Sequence, residues 1–239
     1  MKRKEMIIRQ IVLVMSLLCA LGTFAVMLSS GTNSRRLLAA ATVMLLLLPH
    51  CAEKFYGCRI SLPAYLFYQT YMLAAMCGQC WDFYYHIAWW DKLLHVCGGV
   101  LFAVIGGYLF TRMEPQSQRP WMAAVFGLLF SMAVAVLWEF VEYAMDRFGG
   151  MDMQNDTVIT GFCSYLLGTE PGKTNTLENI TSVLVNGVPL PVDGYLDIGL
   201  HDTMLDLLLG TLGAVVVCLI QLLDQGRHLP IRPADSTEA

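Results

Sequence analysis

Long apolar stretches dominate this sequence and limit the structures that it can adopt. Six of them come close to the roughly 20 residues that a helix needs to cross a bilayer: 11–28, 37–52, 62–80, 93–110, 121–144 and 203–223. Of 239 residues, 56% are hydrophobic and only 14% are charged, which is typical of multi-pass membrane proteins. Because only helices and closed barrels satisfy backbone groups in lipid, the sequence predicts an all-α, six-helix transmembrane protein with a single membrane domain, 1–239.

The distribution of lysine and arginine predicts the orientation of these helices. Cytoplasmic loops carry the excess of Lys and Arg, so the more basic side is the cytoplasmic one. If the six helices cross in turn, that side also holds both termini. Ten basic residues lie there and five lie opposite: Lys2, Arg3, Lys4, Arg9, Lys54, Arg59, Arg112, Arg119, Arg227 and Arg232, against Arg35, Arg36, Lys92, Arg147 and Lys173.

Ionisable residues occur at the outer margins of three predicted helices, and no comparable set occurs at the inner margins. They are spaced so that those on one helix share a face. An acid at the centre of a membrane helix costs about 2.5–3.5 kcal/mol and marks function by default. The set comprises Asp91, Lys92 and His95 on the fourth helix, Glu139, Glu142 and Asp146 on the fifth, and His201, Asp202 and Asp206 on the sixth.

The depth of these residues separates two interpretations. Glu139 and Asp206 lie inside apolar sequence, which favours a functional role. At the helix ends, capping or solvation accounts for a polar residue equally well. His95 lies between the two cases, because a neutral imidazole can bond a backbone carbonyl. The residues at helix ends are Asp91, Asp146, Asp202 and His201.

The charges of this set do not balance. Six carboxylates accompany two histidines and the cations of Lys92 and Arg147. Carboxylates held together in a partly dry site need protons or a bound cation. Imidazole with carboxylate suits Zn, Mn or non-haem Fe, and carboxylate alone suits Mg or Ca, so the metal stays open. We predict a divalent metal site with the ligands Asp91, His95, Glu139, Glu142, Asp202 and Asp206, supported by Asp146, His201 and Lys92.

One long segment, residues 147–200, joins the fifth and sixth helices on the predicted outer side. A connection of this length is usually functional or disordered. Within it, Asn186-Gly187 lies between apolar residues and favours the two-residue turn of a β-hairpin. We interpret residues 151–162 and 195–200 as segments that fold back over the acidic site as a lid.

Four short motifs follow one another in order: Asp91-Lys92-Leu-Leu-His95, Glu139-Phe-Val-Glu142, the segment from Asp146 to Gln154, and Asp202-Thr-Met-Leu-Asp206 ahead of Gly210 and Gly213. Together they resemble the VanZ-like superfamily of bacterial membrane proteins, and more closely the uncharacterised YjdF-type inner-membrane proteins, over about residues 90–219. Glu142 stands where the VanZ branch commonly has glutamine. The resemblance implies a bacterial plasma membrane and a cell-envelope role, with no settled reaction.

Three functions fit these residues. In the first, an envelope enzyme or accessory protein binds the metal and acts on, or protects, a membrane lipid or lipid-linked substrate. Glu139, Asp206 and His95 are then catalytic acid–base groups or ligands. In the second, the carboxylates carry protons or an ion in a transporter; in the third, they hold helices together in a structural component. No nucleophile motif selects a reaction, nothing predicts a nucleic-acid partner, and the oligomeric state stays open.

Overall fold

The computed structural model describes residues 3–115, 119–224 and 230–233 of the chain. These residues are mostly helical, and eight short strands accompany the helices. The helices are α1 (Arg3–Ser30), α2 (Asn33–Leu46), α3 (Leu48–Tyr56), α4 (Leu62–Cys80), α5 (Phe83–His86), α6 (Trp90–Met113), α7 (Pro120–Gly149) and α8 (Leu200–Leu223). The strands are β1 (Cys58–Ile60), β2 (Thr157–Ile159), β3 (Phe162–Ser164), β4 (Asn175–Leu177), β5 (Leu184–Val185), β6 (Val188–Pro189), β7 (Tyr195–Asp197) and β8 (Ile231–Pro233).

Five stretches of helix among the described residues are long and apolar enough to cross a membrane. They correspond to five of the six predicted helices and mostly extend further at their ends. The chain also divides into two compact units, Met1–Ala135 with Leu208–Ala239 and Val136–Leu207. The five candidate spans are Arg3–Ser30, Asn33–Tyr56, Trp90–Met113, Pro120–Gly149 and Leu200–Leu223.

The second predicted helix is interrupted where α2 meets α3. Pro49 has no N–H and cannot continue the α-helical bonding pattern, so α2 ends at Leu46 and α3 begins at Leu48. The interruption leaves the carbonyl oxygens of Leu45 and Leu46 without their helical partners. The Tyr68 hydroxyl and the Gln69 amide, both on α4, donate to these two oxygens at 2.9 Å.

Helix α4 corresponds to the predicted third transmembrane helix, but it is not one of the five candidate spans. Its polar side chains, which donate to the carbonyls of α2, account for its lower hydropathy. Its 19 residues pack against α1, α2 and α6, and only Pro63 and Thr70 are exposed. A helix enclosed by other helices meets protein rather than lipid, so it can carry polar groups that bond its neighbours. The polarity of α4 therefore follows from its enclosed position.

Glycines in the first unit allow α6, the start of α7 and the end of α8 to pack closely. A Cβ on Gly99 would lie 1.9 Å from the carbonyl oxygen of Gly210, and a Cβ on Gly213 would lie 2.3 Å from that of Val96. The Ser131 hydroxyl of α7 also donates to the Gly99 carbonyl at 3.0 Å. Small residues at such crossings let helix backbones approach in lipid.

An ion pair between a buried arginine and a partly buried glutamate lies near the start of α1, on the predicted cytoplasmic side. The guanidinium of Arg9 donates to both carboxylate oxygens of Glu53 at 3.0 Å and to the Ile60 carbonyl at 2.9 Å. It also lies 4.5 Å from the ring centroid of Tyr65. Arg9 is only 4% exposed, so the pair joins α1 to α3, β1 and α4 inside the protein.

The segment of the second unit between α7 and α8 contains six short strands, of which β5 and β6 were predicted and β2, β3, β4 and β7 were not. Each strand has only two or three residues, which is too short to produce a recognisable alternation of apolar and polar residues. They form three antiparallel pairs, β2 with β7, β3 with β4, and β5 with β6. The β5–β6 pair is the predicted hairpin, and Asn186 and Gly187 have the positive φ angles, 53° and 81°, of its turn.

Candidate functional site

Four carboxylates are buried in the second unit, two on each of its helices. Glu139 and Glu142 on α7 are 4% and 5% exposed, and Asp202 and Asp206 on α8 are 6% and 1% exposed. The spacing of three residues on α7 and four on α8 places each pair on one face of its helix, as predicted. Burying an ionised carboxylate is costly unless a charge, a proton or hydrogen bonds compensate it.

The fixed cations of this unit lie at its surface. The described segment from 136 to 207 contains only Arg147 and Lys173, and both side chains are exposed. Lys173 forms its ion pair with Glu170, which is exposed as well. Against these two cations the segment has eleven acids: Glu139, Glu142, Asp146, Asp152, Asp156, Glu170, Glu178, Asp193, Asp197, Asp202 and Asp206.

Trp138 orients one of the buried acids. Its indole N–H donates to Oε1 of Glu142, one helical turn further along α7, at 2.7 Å. An outer hydrogen bond of this kind holds a carboxylate in one orientation, as is common around metal ligands. This contact was not predicted from the sequence. The signal that could have indicated it is a tryptophan four residues before a glutamate within an apolar helix.

The segment Met151–Asn155, which we call the strap, folds back over the adjacent ends of α7 and α8. Both carboxylate oxygens of Asp146 accept from the strap, from the Met153 N–H at 2.6 Å and the Gln154 N–H at 2.8 Å. Asp202 accepts from the Asn155 N–H at 3.1 Å. Helix α7 continues to Gly149, so Asp146 lies within its last turn. Its carboxylate supports the strap.

Two further contacts join the beginning and the end of the segment that connects α7 to α8. The Gln154 side-chain amide donates to the Thr203 hydroxyl on α8. Strand β2 pairs with β7 in the register Thr157 to Asp197, which brings the two predicted lid segments side by side. Partial burial, and then the charges of Asp156, Asp146 and Asp202, raise the pKa of the exposed Asp152 carboxyl above its ordinary value.

Asp146→Asn is expected to loosen the strap. An amide offers one acceptor oxygen where the carboxylate offered two, and a hydrogen bond to a charged group contributes about 1.5–3 kcal/mol. Hydrogen exchange at the Met153 and Gln154 amides should therefore become about 10- to 100-fold faster, measured by mass spectrometry in detergent. The exposed Asp193→Asn is the matched control, and equal exchange in the two variants would contradict the role of Asp146.

In the first unit, the start of α6 carries the predicted Asp91, Lys92 and His95. The Asp91 carboxylate lies 3.1 Å from Nζ of Lys92 and 3.5 Å from Nε2 of His95, one turn further along the helix. All three side chains are largely buried, so this part of the predicted set forms a local ion-paired group. The imidazole and the carboxylate share a helix face, as their four-residue spacing predicts.

The predicted ligands are divided between the two units. Asp91 and His95 belong to the first unit, and Glu139, Glu142, Asp202 and Asp206 belong to the second. Asp202 accepts a hydrogen bond from the strap. His201, predicted to support the site, has an exposed side chain, and its backbone N–H donates to Asp197 at 2.7 Å.

Several apolar helices of membrane-spanning length, two of which bury acids, define this chain as a multi-pass membrane protein. A family model described as "Predicted membrane protein (DUF2238)" matches residues 11–226, and the chain belongs to this family. The match includes every residue of the candidate site, the whole of the second unit and most of the first. No curated protein and no solved structure gives a significant match to the chain.

Proposed function

We propose that this protein is a bacterial plasma-membrane protein that binds a divalent cation at an extracytoplasmic carboxylate and imidazole site. At this site it acts on, or protects, a lipid or lipid-linked substrate of the cell envelope. One observation carries the proposal: four carboxylates are buried on α7 and α8, in a unit whose only Lys and Arg side chains are exposed. A bound dication compensates such a set without a matching number of buried cationic side chains.

The chemistry of the side chains supports a transition-metal or zinc site over a purely oxygen-ligated one. The proposed ligand set contains the imidazole of His95 together with carboxylates, and a mixed imidazole and carboxylate set suits Zn, Mn or non-haem Fe. Glu139 and Asp206 are the ligands or acid–base groups within apolar helix. Glu142, oriented by Trp138, completes the set, and Asp146 and Asp202 support it through the strap.

The distribution of basic residues supports the proposed orientation, with six crossings and both termini in the cytoplasm. Arg35 and Arg36 are among the five basic residues on the opposite side, and both form contacts within the protein. Arg35 forms a two-point ion pair with Asp82, and Arg36 donates to the Met27 carbonyl at 2.9 Å. The resemblance to VanZ-like and YjdF-type proteins supports the bacterial envelope setting.

Metal analysis of the purified protein tests the proposal. We expect the wild-type chain to retain a stoichiometric divalent metal through purification in detergent. Glu139→Gln and Asp206→Asn should each weaken its binding by more than the roughly 10- to 100-fold typical of losing an outer hydrogen bond. The matched controls are Glu178→Gln and Asp193→Asn, which make the same chemical changes at exposed positions of the same unit.

The outcomes of this experiment separate the three functions. Metal lost from both site variants, but from neither control, supports the proposal. Absence of metal from the wild-type chain after supplementation with Zn, Mn, Fe, Mg or Ca overturns it. In that case, cation or proton flux in proteoliposomes that disappears in Glu139→Gln identifies a transporter. A loss of thermal stability without metal or flux identifies a structural role for the acids.

A further inference from the structure

The β5–β6 hairpin presents apolar side chains to its surroundings on both of its faces. Leu184, Val185 and Val188 are 65%, 50% and 66% exposed, and Pro189 is exposed as well. A hairpin that lies in water usually alternates apolar and polar residues, with the apolar face packed on the protein. An isolated two-stranded hairpin is also marginally stable in water. The composition of this hairpin therefore indicates an apolar environment.

The hairpin lies at the centre of an uncharged run. The fourteen residues 179–192 contain no acidic or basic side chain, and the run is bounded by Glu178 and Asp193. Elsewhere the segment between α7 and α8 carries six acids and one lysine, although residues 157–169 are uncharged as well. A segment without charges can enter the lipid interface without the cost of desolvating an ion.

The edge of the hairpin does not favour a protein strand as its partner. Pro189 in β6 has no backbone N–H to donate, and β5 and β6 have only two residues each. Addition of a strand from another chain depends on an unbroken row of backbone donors and acceptors. A partner of this hairpin would therefore contact its exposed apolar side chains rather than pair with its backbone.

Apolar side chains are also exposed between the hairpin and the start of α8. Ten residues lie between Pro189 and Leu200, where the candidate span α8 begins, so the hairpin lies at most about 40 Å from the start of that span. Between them, Ile198 is 80% exposed, and Leu200 is 65% exposed. Exposed apolar side chains therefore continue from the start of α8 into the segment that connects it to the hairpin.

We propose that the β5–β6 hairpin docks into the lipid interface of the membrane leaflet on its own side of the protein. Leu184, Val185 and Val188 enter the boundary between headgroups and acyl chains. The outer backbone groups of the two strands stay within reach of interfacial water, so the hairpin lies in the interface and does not cross the bilayer. The hairpin thereby anchors the α7–α8 segment to the membrane at a third point, in addition to α7 and α8.

Site-specific photo-crosslinking in native membranes tests this docking with the full chain. A benzophenone amino acid replaces Val188 in one variant and Leu184 in a second, and the exposed, charged Asp193 in the matched control. After irradiation, mass spectrometry of the purified chain identifies adducts. We expect lipid adducts at 188 and 184, several-fold more abundant than at 193. Size-exclusion profiles equal to that of the wild-type chain show that the variants are folded.

Other adducts overturn the proposal. A cross-linked second copy of the chain at 188 or 184 shows that the hairpin is a contact between subunits, and a cross-link to a different protein shows that it is a docking site for a partner. Lipid adducts in equal amounts at 193, or at none of the three positions, also contradict interfacial docking. The test does not involve metal, so its failure is distinguishable from failure of the proposed function.

Discussion

Gly99→Ala is expected to destabilise the protein strongly. The new Cβ would lie 1.9 Å from the Gly210 carbonyl oxygen, a backbone atom that no side-chain rotation can move away. Relief requires α6 and α8 to separate, and the Ser131 hydroxyl of α7, which donates to the Gly99 carbonyl, restrains the movement of α6. Overpacking typically costs about 1–3 kcal/mol, and we expect a value at the upper end or above it because both clashing groups belong to helix backbones. Unfolding by heat or by SDS titration in detergent measures the loss.

Other glycines of the same chain provide matched controls for this substitution. Gly22→Ala on α1 meets no atom within 4 Å, so its stability should be unchanged or higher by up to about 1 kcal/mol. Gly210→Ala meets only the His95 carbonyl at 3.4 Å and should be tolerated, whereas Gly213→Ala, at 2.3 Å from the Val96 carbonyl, should resemble Gly99→Ala. If all four alanine variants behave alike, the close packing of these helices is contradicted.

Arg9→Leu is expected to cost at most about 3–5 kcal/mol, the loss typical of breaking a fully buried pair, because Glu53 is 25% exposed and water can partly solvate the charge left behind. Arg9 provides two bonds to Glu53, one to the Ile60 carbonyl, and the charge over the Tyr65 ring. Glu53 also accepts from the Ile60 N–H at 3.0 Å, so loss of the guanidinium affects β1 as well as α3. The free energy of unfolding in detergent measures the effect.

A double substitution and a surface pair test the explanation. Arg9→Leu with Glu53→Leu should recover part of the stability lost in either single variant, because neither charge is then left alone. Lys173→Ala breaks the exposed pair with Glu170 and should cost at most about 1 kcal/mol. A loss in Arg9→Leu no larger than in Lys173→Ala would show that the buried pair contributes little.

The strap and the hairpin suggest how the α7–α8 segment relates to the buried acids. The strap is held by Asp146 and Asp202, and Asp202 is one turn from Asp206 on the same face of α8. A change in the charge of these carboxylates would therefore weaken the bonds that hold the strap. If a cation binds the acids as proposed, its binding should affect the hydrogen bond between Asp202 and the strap.

Local patterns predicted a large part of the structure. The apolar stretches predicted the helices because a membrane segment satisfies its backbone internally, whatever its neighbours are. Asn186-Gly187 predicted the hairpin, because two positive φ angles are a property of these two residues. The spacings of 139 with 142 and of 202 with 206 predicted which acids share a face, since helical periodicity alone decides this.

Other features depend on residues that are far apart in the sequence, and no local pattern contains them. Arg9 and Glu53 are 44 residues apart, and their pairing required the packing of α1 against neighbouring elements. The polar side chains of Tyr68 and Gln69 on α4 donate to the carbonyls that the interruption at Pro49 leaves unbonded, and the sequence of α4 alone does not reveal these partners.

The sequence by itself determined that this protein has several membrane-length helices, which residues form them, and which acids lie along each helix face. These properties follow from backbone hydrogen bonding and helical periodicity, which act over a few residues. Only the tertiary structure decided which acids are buried, that Asp146 and Asp202 hold the strap, and where glycine is indispensable. Burial and close contact depend on the atoms that distant segments bring together, and a linear pattern does not record those atoms.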